Sequence, residues 1–176
     1  MNFLIAVPFR ILLWMVPIFF MIHNMEEALF MERWSKRLPV KIHPAVSTPR
    51  FVVAVTFLTI SGFVLTYISL VWLPTSIGYL LILGMQAVLL VNAFIPHLAT
   101  TIRFRLYSPG IVTVIVLIIP FSLYLFRRAF TEQLLTWAQF WLLIWIAPFA
   151  MVALTLLSLQ VGKVLTRKGF PGSCPS

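Results

Sequence analysis

His23, Glu26 and Glu27 interrupt an apolar run, Ile11 to Phe30, that resumes at once with Ala28, Leu29 and Phe30. Ionisable side chains at membrane depth cost about 2.5 to 3.5 kcal/mol each on insertion scales, so three on one segment require compensation. Spaced i, i+3 and i+4, they share one face of a helix within about 6 Å of rise. That is the geometry of a ligand set. Two adjacent carboxylates repel each other, so a cation, an arginine or a shared proton is expected among them. A plainer reading makes this segment the cytoplasmic end of the first helix, with the glutamates emerging into the headgroups.

A second histidine weighs against the plainer reading. Asn92 and His97 close the third apolar run, which travels in the same direction as the first and so delivers His97 to the same leaflet. Pro96 cannot donate to the Asn92 carbonyl, which is freed, and the turn before His97 is bent. Bent helices with spare carbonyls are common around binding sites in membranes. Tyr107-Ser108-Pro109-Gly110 then opens the fourth run from the same side, placing a phenol over the cluster.

Two histidines and two carboxylates suit Zn²⁺, Fe²⁺ or Mn²⁺. With His23, His97 and one of Glu26 or Glu27 as ligands, a fourth position stays open to water, as catalytic zinc requires. The other glutamate is then the general base. Asn92 and Tyr107 are expected to orient ligands or substrate, with Tyr107 a catalytic candidate alongside the glutamates. Asn92, Arg103 and Arg105 are substrate-binding candidates, the two arginines for an anionic headgroup or pyrophosphate. A di-iron centre would need about four carboxylates and two histidines, more than this chain brings.

These side chains must be held by helices. The chain is 61% hydrophobic and 10% charged, with no aspartate; soluble domains are about half apolar and a quarter charged. Runs of about 17 to 25 residues are long enough to cross about 30 Å of hydrocarbon. Five occur, at about 11–30, 51–73, 76–96, 110–126 and 134–160. Backbone amides in lipid must pair within the protein, so all five are read as helices of one transmembrane domain spanning 1–176, with 161–176 as a tail. The first lacks Lys or Arg before Arg10 and has no small-residue cleavage site after it, so it is read as a retained span rather than a signal peptide.

The net charge of +9 reflects topology. Arg33, Lys36, Arg37, Lys41, Arg50, Arg103, Arg105, Lys163, Arg167 and Lys168 fall on one side, against Arg10, Arg127 and Arg128 on the other. The positive-inside rule therefore places the C-terminus and the tail in the cytoplasm and the N-terminus outside. Trp72 and Tyr79 fit an aromatic belt at the outer interface. No solvated basic face exists for nucleic acid. Cys174, the one cysteine, excludes an internal disulfide.

Other polar residues have ordinary readings. His43 is a solvated loop residue, in a basic loop expected on the anionic inner leaflet. Glu32 and Lys36 are spaced as an exposed helical pair. Gln86, Asn92 and Gln160 are read as interhelical hydrogen-bonding groups. Trp137, Trp141 and Trp145 form a lipid-facing or packing stripe, and Arg10 snorkels to the outer interface.

His23-Asn24-Met25-Glu26-Glu27, Asn92-Ala93 with His97, and Tyr107-Ser108-Pro109-Gly110 together resemble the three signatures of the HXXEE-domain family of bacterial integral membrane proteins. The order matches, and the resemblance covers most of the chain from the first to the fourth span. Three residues separate Asn92-Ala93 from His97, where the family signature has two. The resemblance implies a membrane protein with a functional polar cluster. A looser similarity, to membrane-embedded CAAX-type proteases, lacks their arginine, whose place Phe30 takes.

The expectation is thus an all-α, multi-pass bundle in the inner membrane. Its function is read as a metal-dependent hydrolase or lyase acting on a lipid-like or apolar substrate at the cytoplasmic leaflet, with a divalent metal as cofactor. The alternatives are a small proton-coupled transporter and a non-catalytic lipid-binding or accessory protein. Expected partners are the bilayer, the small-molecule substrate and a second copy of the chain, with no nucleic acid.

Overall fold

The computed structural model describes residues 7–37 and 46–169. Lys41, His43 and Cys174 lie outside the described residues, as do the side chains of Arg167 and Lys168. Among the described residues five helices are long and apolar enough to cross a membrane: α1 (Phe9–Ser35), α2 (Thr48–Val71), α3 (Thr75–Phe104), α4 (Ile111–Thr131) and α5 (Trp137–Gly169). They form an all-helical bundle.

The sequence places all five spans but shortens most of them. Helix α1 runs to Ser35, past Phe30, carrying both glutamates at least two turns from its end. Helix α4 continues from Phe126 to Thr131, where Arg128 pairs with Glu132. Helix α5 starts at Trp137 rather than 134, because Gln133 takes a positive φ of 56° and Thr136 caps the new helix through Gln139. It extends to Gly169, so the segment expected as a tail begins as helix. Helix α3 does not stop at Pro96 either. A π-helical turn, Ala93–Leu98, carries the chain past the proline, and the Thr100 hydroxyl donates to the Pro96 carbonyl. The wider turn tolerates the missing N–H without ending the helix.

In lipid, helices associate through close packing and interhelical polar contacts rather than hydrophobic exclusion from water. Two glycines set the closest approaches: a Cβ on Gly78 of α3 would stand 1.9 Å from the Ser69 carbonyl oxygen of α2, and one on Gly162 of α5 would stand 2.5 Å from that of Arg50. Helix α2 is thereby pressed between α3 and α5. Leu13, Val16, Ile82, Leu83, Val114 and Leu125 fill the centre of the bundle. The Gln86 amide donates to the Ser122 hydroxyl at 2.6 Å, joining α3 to α4 as the sequence suggests. Gln160, by contrast, is exposed. Arg10 donates to the Leu70 carbonyl at 2.7 Å, closing the end of α2. Trp137, Trp141 and Trp145 are all exposed.

Glu32 ties α1 to the start of α2. Its carboxylate accepts from Lys36 Nζ at 2.7 Å and from the Thr48 backbone N–H at 2.6 Å, and the Thr48 hydroxyl adds a third bond. A carboxylate on a helix N-terminus satisfies otherwise orphaned donors there. The pairing fixes α2 beside the part of α1 that bears the cluster.

Candidate metal centre

Two helices bring the ligand atoms to one point. His23 and Glu27 come from α1, one turn apart, and His97 from the π-helical turn of α3; their ligand atoms lie within 4.8 Å of one another. Glu27 Oε1 stands 3.3 Å from His97 Nε2 and 3.8 Å from His23 Nε2. Both imidazoles are buried and cross nearly at right angles, their centroids 4.9 Å apart. Ligands about 2.1 Å from one tetrahedral ion lie about 3.4 Å from each other, so the shorter spacings already match a shared cation.

The hydrogen bonds explain why acceptors face each other here. His23 Nδ1 is 2.9 Å from Thr113 Oγ1, and that hydroxyl spends its own proton on the Gly110 carbonyl at 3.0 Å. The contact therefore needs the proton on Nδ1, which leaves the Nε2 lone pair aimed at Glu27 and His97. On the far side of His97, Ser108 Oγ lies 3.5 Å from Nδ1. Asn92 sends its amide to the Nε2 atoms, at 3.0 Å for His97 and 3.4 Å for His23. Two imidazole nitrogens and a carboxylate oxygen thus converge, and Glu27 forms an ion pair with either imidazole only when that ring carries its second proton. Buried acceptors so arranged call for a cation or a proton between them.

Asn92 and His97 are five residues apart, a spacing that puts two side chains on different faces of a regular α-helix. The π-helical turn brings them back towards one face, since its hydrogen bonds run i to i+5 and each turn holds more residues than in an α-helix.

Glu26 takes a different place from the one its spacing suggests. Its carboxylate accepts from the Tyr107 hydroxyl at 2.5 Å, from Val112 N–H at 3.2 Å and from Thr113 N–H at 2.8 Å. It caps the N-terminus of α4, where aligned N–H groups attract negative charge. The structure therefore does not bring Glu26 into the ligand set. Partial burial and the neighbouring Glu26 carboxylate push the Tyr107 phenol above its ordinary range, keeping it a proton donor. Tyr107 engages Glu26 rather than the histidines. What covers the imidazoles is Gly110, with φ +89°: a Cβ there would stand 2.5 Å from His23 Cε1 and 3.0 Å from His97 Cε1.

Arg103 lies exposed, its guanidinium 5.8 Å from the centroid of the Phe104 ring, and Arg105 is an exposed residue with φ 52° that terminates α3. Thr113, Ser108 and Gly110 go unremarked as partners in the sequence reading. For Thr113 a signal exists: it is the one hydroxyl-bearing residue in the stretch from Gly110 to Ile119 of a helix whose start faces the cluster.

The cluster opens onto a long groove. A cavity of about 800 Å³ is lined at one end by Asn24, Glu27, Asn92, His97 and Ser108, and elsewhere almost wholly by apolar side chains of α2, α3 and α5, such as Leu58, Met85 and Ile146. From Leu80 to His97 on α3, the lining covers about 25 Å of helix rise. Asn24 itself is held by Thr59 Oγ1 at 2.8 Å.

The chain is 28% identical over 142 residues to the uncharacterized protein YrkK of Bacillus subtilis (strain 168), an alignment covering 80% of this chain and 89% of the relative. No solved structure matches it significantly. Residues 14–125, which carry the His23, Glu27, His97 and Tyr107 positions, match the family described as proteins of unknown function with an HXXEE motif, and the chain belongs to that family.

Proposed function

We propose that this protein is a metal-dependent membrane enzyme of the hydrolase or lyase type, acting on a lipid-like substrate at the cytoplasmic leaflet of the inner membrane. The observation that supports it is the position of the His23, Glu27 and His97 set at the polar end of an apolar groove. Such a groove accepts a hydrocarbon chain, and the cluster meets the polar group that the chain carries.

Two imidazoles and one carboxylate are the protein ligands of catalytic zinc in one common arrangement, and also of non-haem iron. A divalent cation held there supplies a Lewis acid for polarising a carbonyl or phosphoryl oxygen. The rest is the work of the chain. Thr113 fixes the His23 tautomer, as outer hydrogen-bond partners of ligating histidines do. Asn92 offers its amide beside both ligand atoms, where it orients the reacting group. Glu26 and Tyr107 act by pinning the Ser108 to Gly110 turn over the histidines, so Glu26 serves as a positioning residue rather than as ligand or general base. With the N-terminus outside, the positive-inside rule puts this end of α1 and α3 on the cytoplasmic side.

Metal analysis of the purified protein tests the reading. About one equivalent of Zn, Fe or Mn is expected in the wild type and a small fraction of that in Glu27→Gln and His97→Ala. Equal, trace metal in all three after refeeding each ion, with no change in stability on chelation, removes the proposal.

One observation favours a second reading, a proton-coupled carrier. Gln86 is fully buried on α3, about 9 Å of rise from Asn92, and its Oε1 lacks a partner while its amide holds Ser122. A buried polar step of this kind suits a relay. Proton flux into proteoliposomes that disappears in Gln86→Leu would favour the carrier over the enzyme.

A further inference from the structure

We propose that Arg33, Arg37 and the Tyr107 ring form a receptor for the phosphate-bearing headgroup of an amphiphile whose tail lies in the apolar groove. This deepens the proposed function by making its substrate an anionic lipid, and it rests on the groove and cluster described there.

A separate cavity of about 170 Å³ is lined by Phe30, Arg33, Trp34, Arg37, Leu106 and Tyr107. Arg33 and Arg37 are one helical turn apart, so their side chains reach the same face of the end of α1. Among the described residues, neither is paired with a carboxylate. Glu26 is bound by Tyr107 and the start of α4, and Glu27 by the histidines. Glu32 is paired with Lys36 and Glu132 with Arg128. Those four are all the acidic residues of the chain. Two guanidinium forks without carboxylate partners match the oxygens of a phosphate group, which arginine holds through charge-assisted paired hydrogen bonds.

The pocket adjoins the groove, with one side chain as a shared wall. Trp34 lines both cavities. Along α1, Arg33 and Arg37 lie six and ten residues beyond Glu27, about 9 and 15 Å of rise. A lipid whose phosphate rests on the two arginines therefore presents its linkage region, between head and tail, at the level of Glu27 and His97. Neither Arg103 nor Arg105 lines this pocket. The receptor proposed here is therefore a different place from the one expected of that pair.

Binding to the purified full-length protein in maltoside micelles, which carry no phosphate, tests the assignment. The probes are oleoyl lysophosphatidate, monooleoylglycerol with the same tail, and inorganic phosphate as a competitor. Wild type is expected to prefer the lysophosphatidate. The Arg33→Gln/Arg37→Gln variant should weaken it about thirtyfold, the effect of two basic groups each of the size seen at an anionic surface. Monooleoylglycerol binding, unchanged in that variant, shows that the groove and fold are intact, and Gly84→Trp, within the groove, should weaken both amphiphiles. Equal affinity for the two amphiphiles in wild type, or an unchanged preference in the double arginine variant, overturns the proposal. Displacement of lysophosphatidate by inorganic phosphate at comparable concentration assigns the pocket to free phosphate and overturns it as well. The preference is measured again after chelation and should persist. A missing metal and a missing headgroup preference are therefore separate failures.

Discussion

Replacing Gly110 by alanine tests the architecture of the centre with a single methyl group. The new Cβ would fall 2.5 Å from His23 Cε1, 3.0 Å from His97 Cε1 and 3.1 Å from His23 Nδ1. The backbone at this position, φ 89° and ψ −9°, lies in the left-handed region, which costs an L residue about 1 to 2 kcal/mol. Relieving the overlap costs a further ~1 to 3 kcal/mol, the usual penalty for a methyl group forced into a packed site. Together these give a loss of about 2 to 5 kcal/mol, enough to lower Tm by several degrees in a chain of this length. If the backbone holds, the rings must yield by several tenths of an ångström, which separates the Nε2 atoms from Glu27. Metal affinity should then fall about 10- to 100-fold, the range found when supports of ligating histidines are lost. Thermal unfolding in detergent and competition with a graded chelator read the two effects separately. Gly84→Ala is the control, since its Cβ would meet the Leu143 side chain alone, at 3.3 Å. A Gly110→Ala protein with wild-type Tm and wild-type chelator competition would refute the reasoning, because the added methyl group would then have displaced neither imidazole.

Glu26→Gln and Glu27→Gln should part company: the first lowers Tm by a few degrees through loss of a charged helix cap worth about 1 kcal/mol while retaining metal, and the second releases metal. Identical metal contents in the two would contradict the split roles. Thr113→Val should weaken metal binding roughly tenfold, with Thr113→Ser restoring it, as followed by chelator competition; failure of serine to rescue would point to packing instead. A membrane-impermeant thiol reagent should label Cys174 in inverted vesicles and not in intact spheroplasts, and the opposite pattern would reverse the orientation.

The helices were legible because length and apolarity alone decide what can cross lipid, and Leu, Val, Ile and Phe dominate every span. The convergence of His23 with His97 was legible too, since helices α1 and α3 run in the same direction and the two crossings between their ends return the chain to one leaflet. The division between the two glutamates was not. Glu26 and Glu27 are equally reachable from His23 by spacing, and what separates them is the N-terminus of α4, a tertiary neighbour that periodicity cannot reveal. The extent of α3 was hidden for a related reason. Pro96 reads as a stop, and only the structure shows the chain widening its turn and continuing to Phe104. Arg103 and Arg33 carry the same charge on the same side of the bundle, and the sequence offers no means of choosing which pair borders a cavity.

The wide turn at Ala93–Leu98 also makes this helix forgiving of a change in length. Removing Phe94 or Ile95 would leave Asn92 and His97 four apart, and an ordinary α-helical repeat would still seat them side by side. A one-residue insertion or deletion, which elsewhere in a membrane helix swings every later side chain by about 100°, is absorbed within one turn. Relatives that differ by one residue between these positions can therefore hold the same pair of side chains in register, with the turn itself as the variable part.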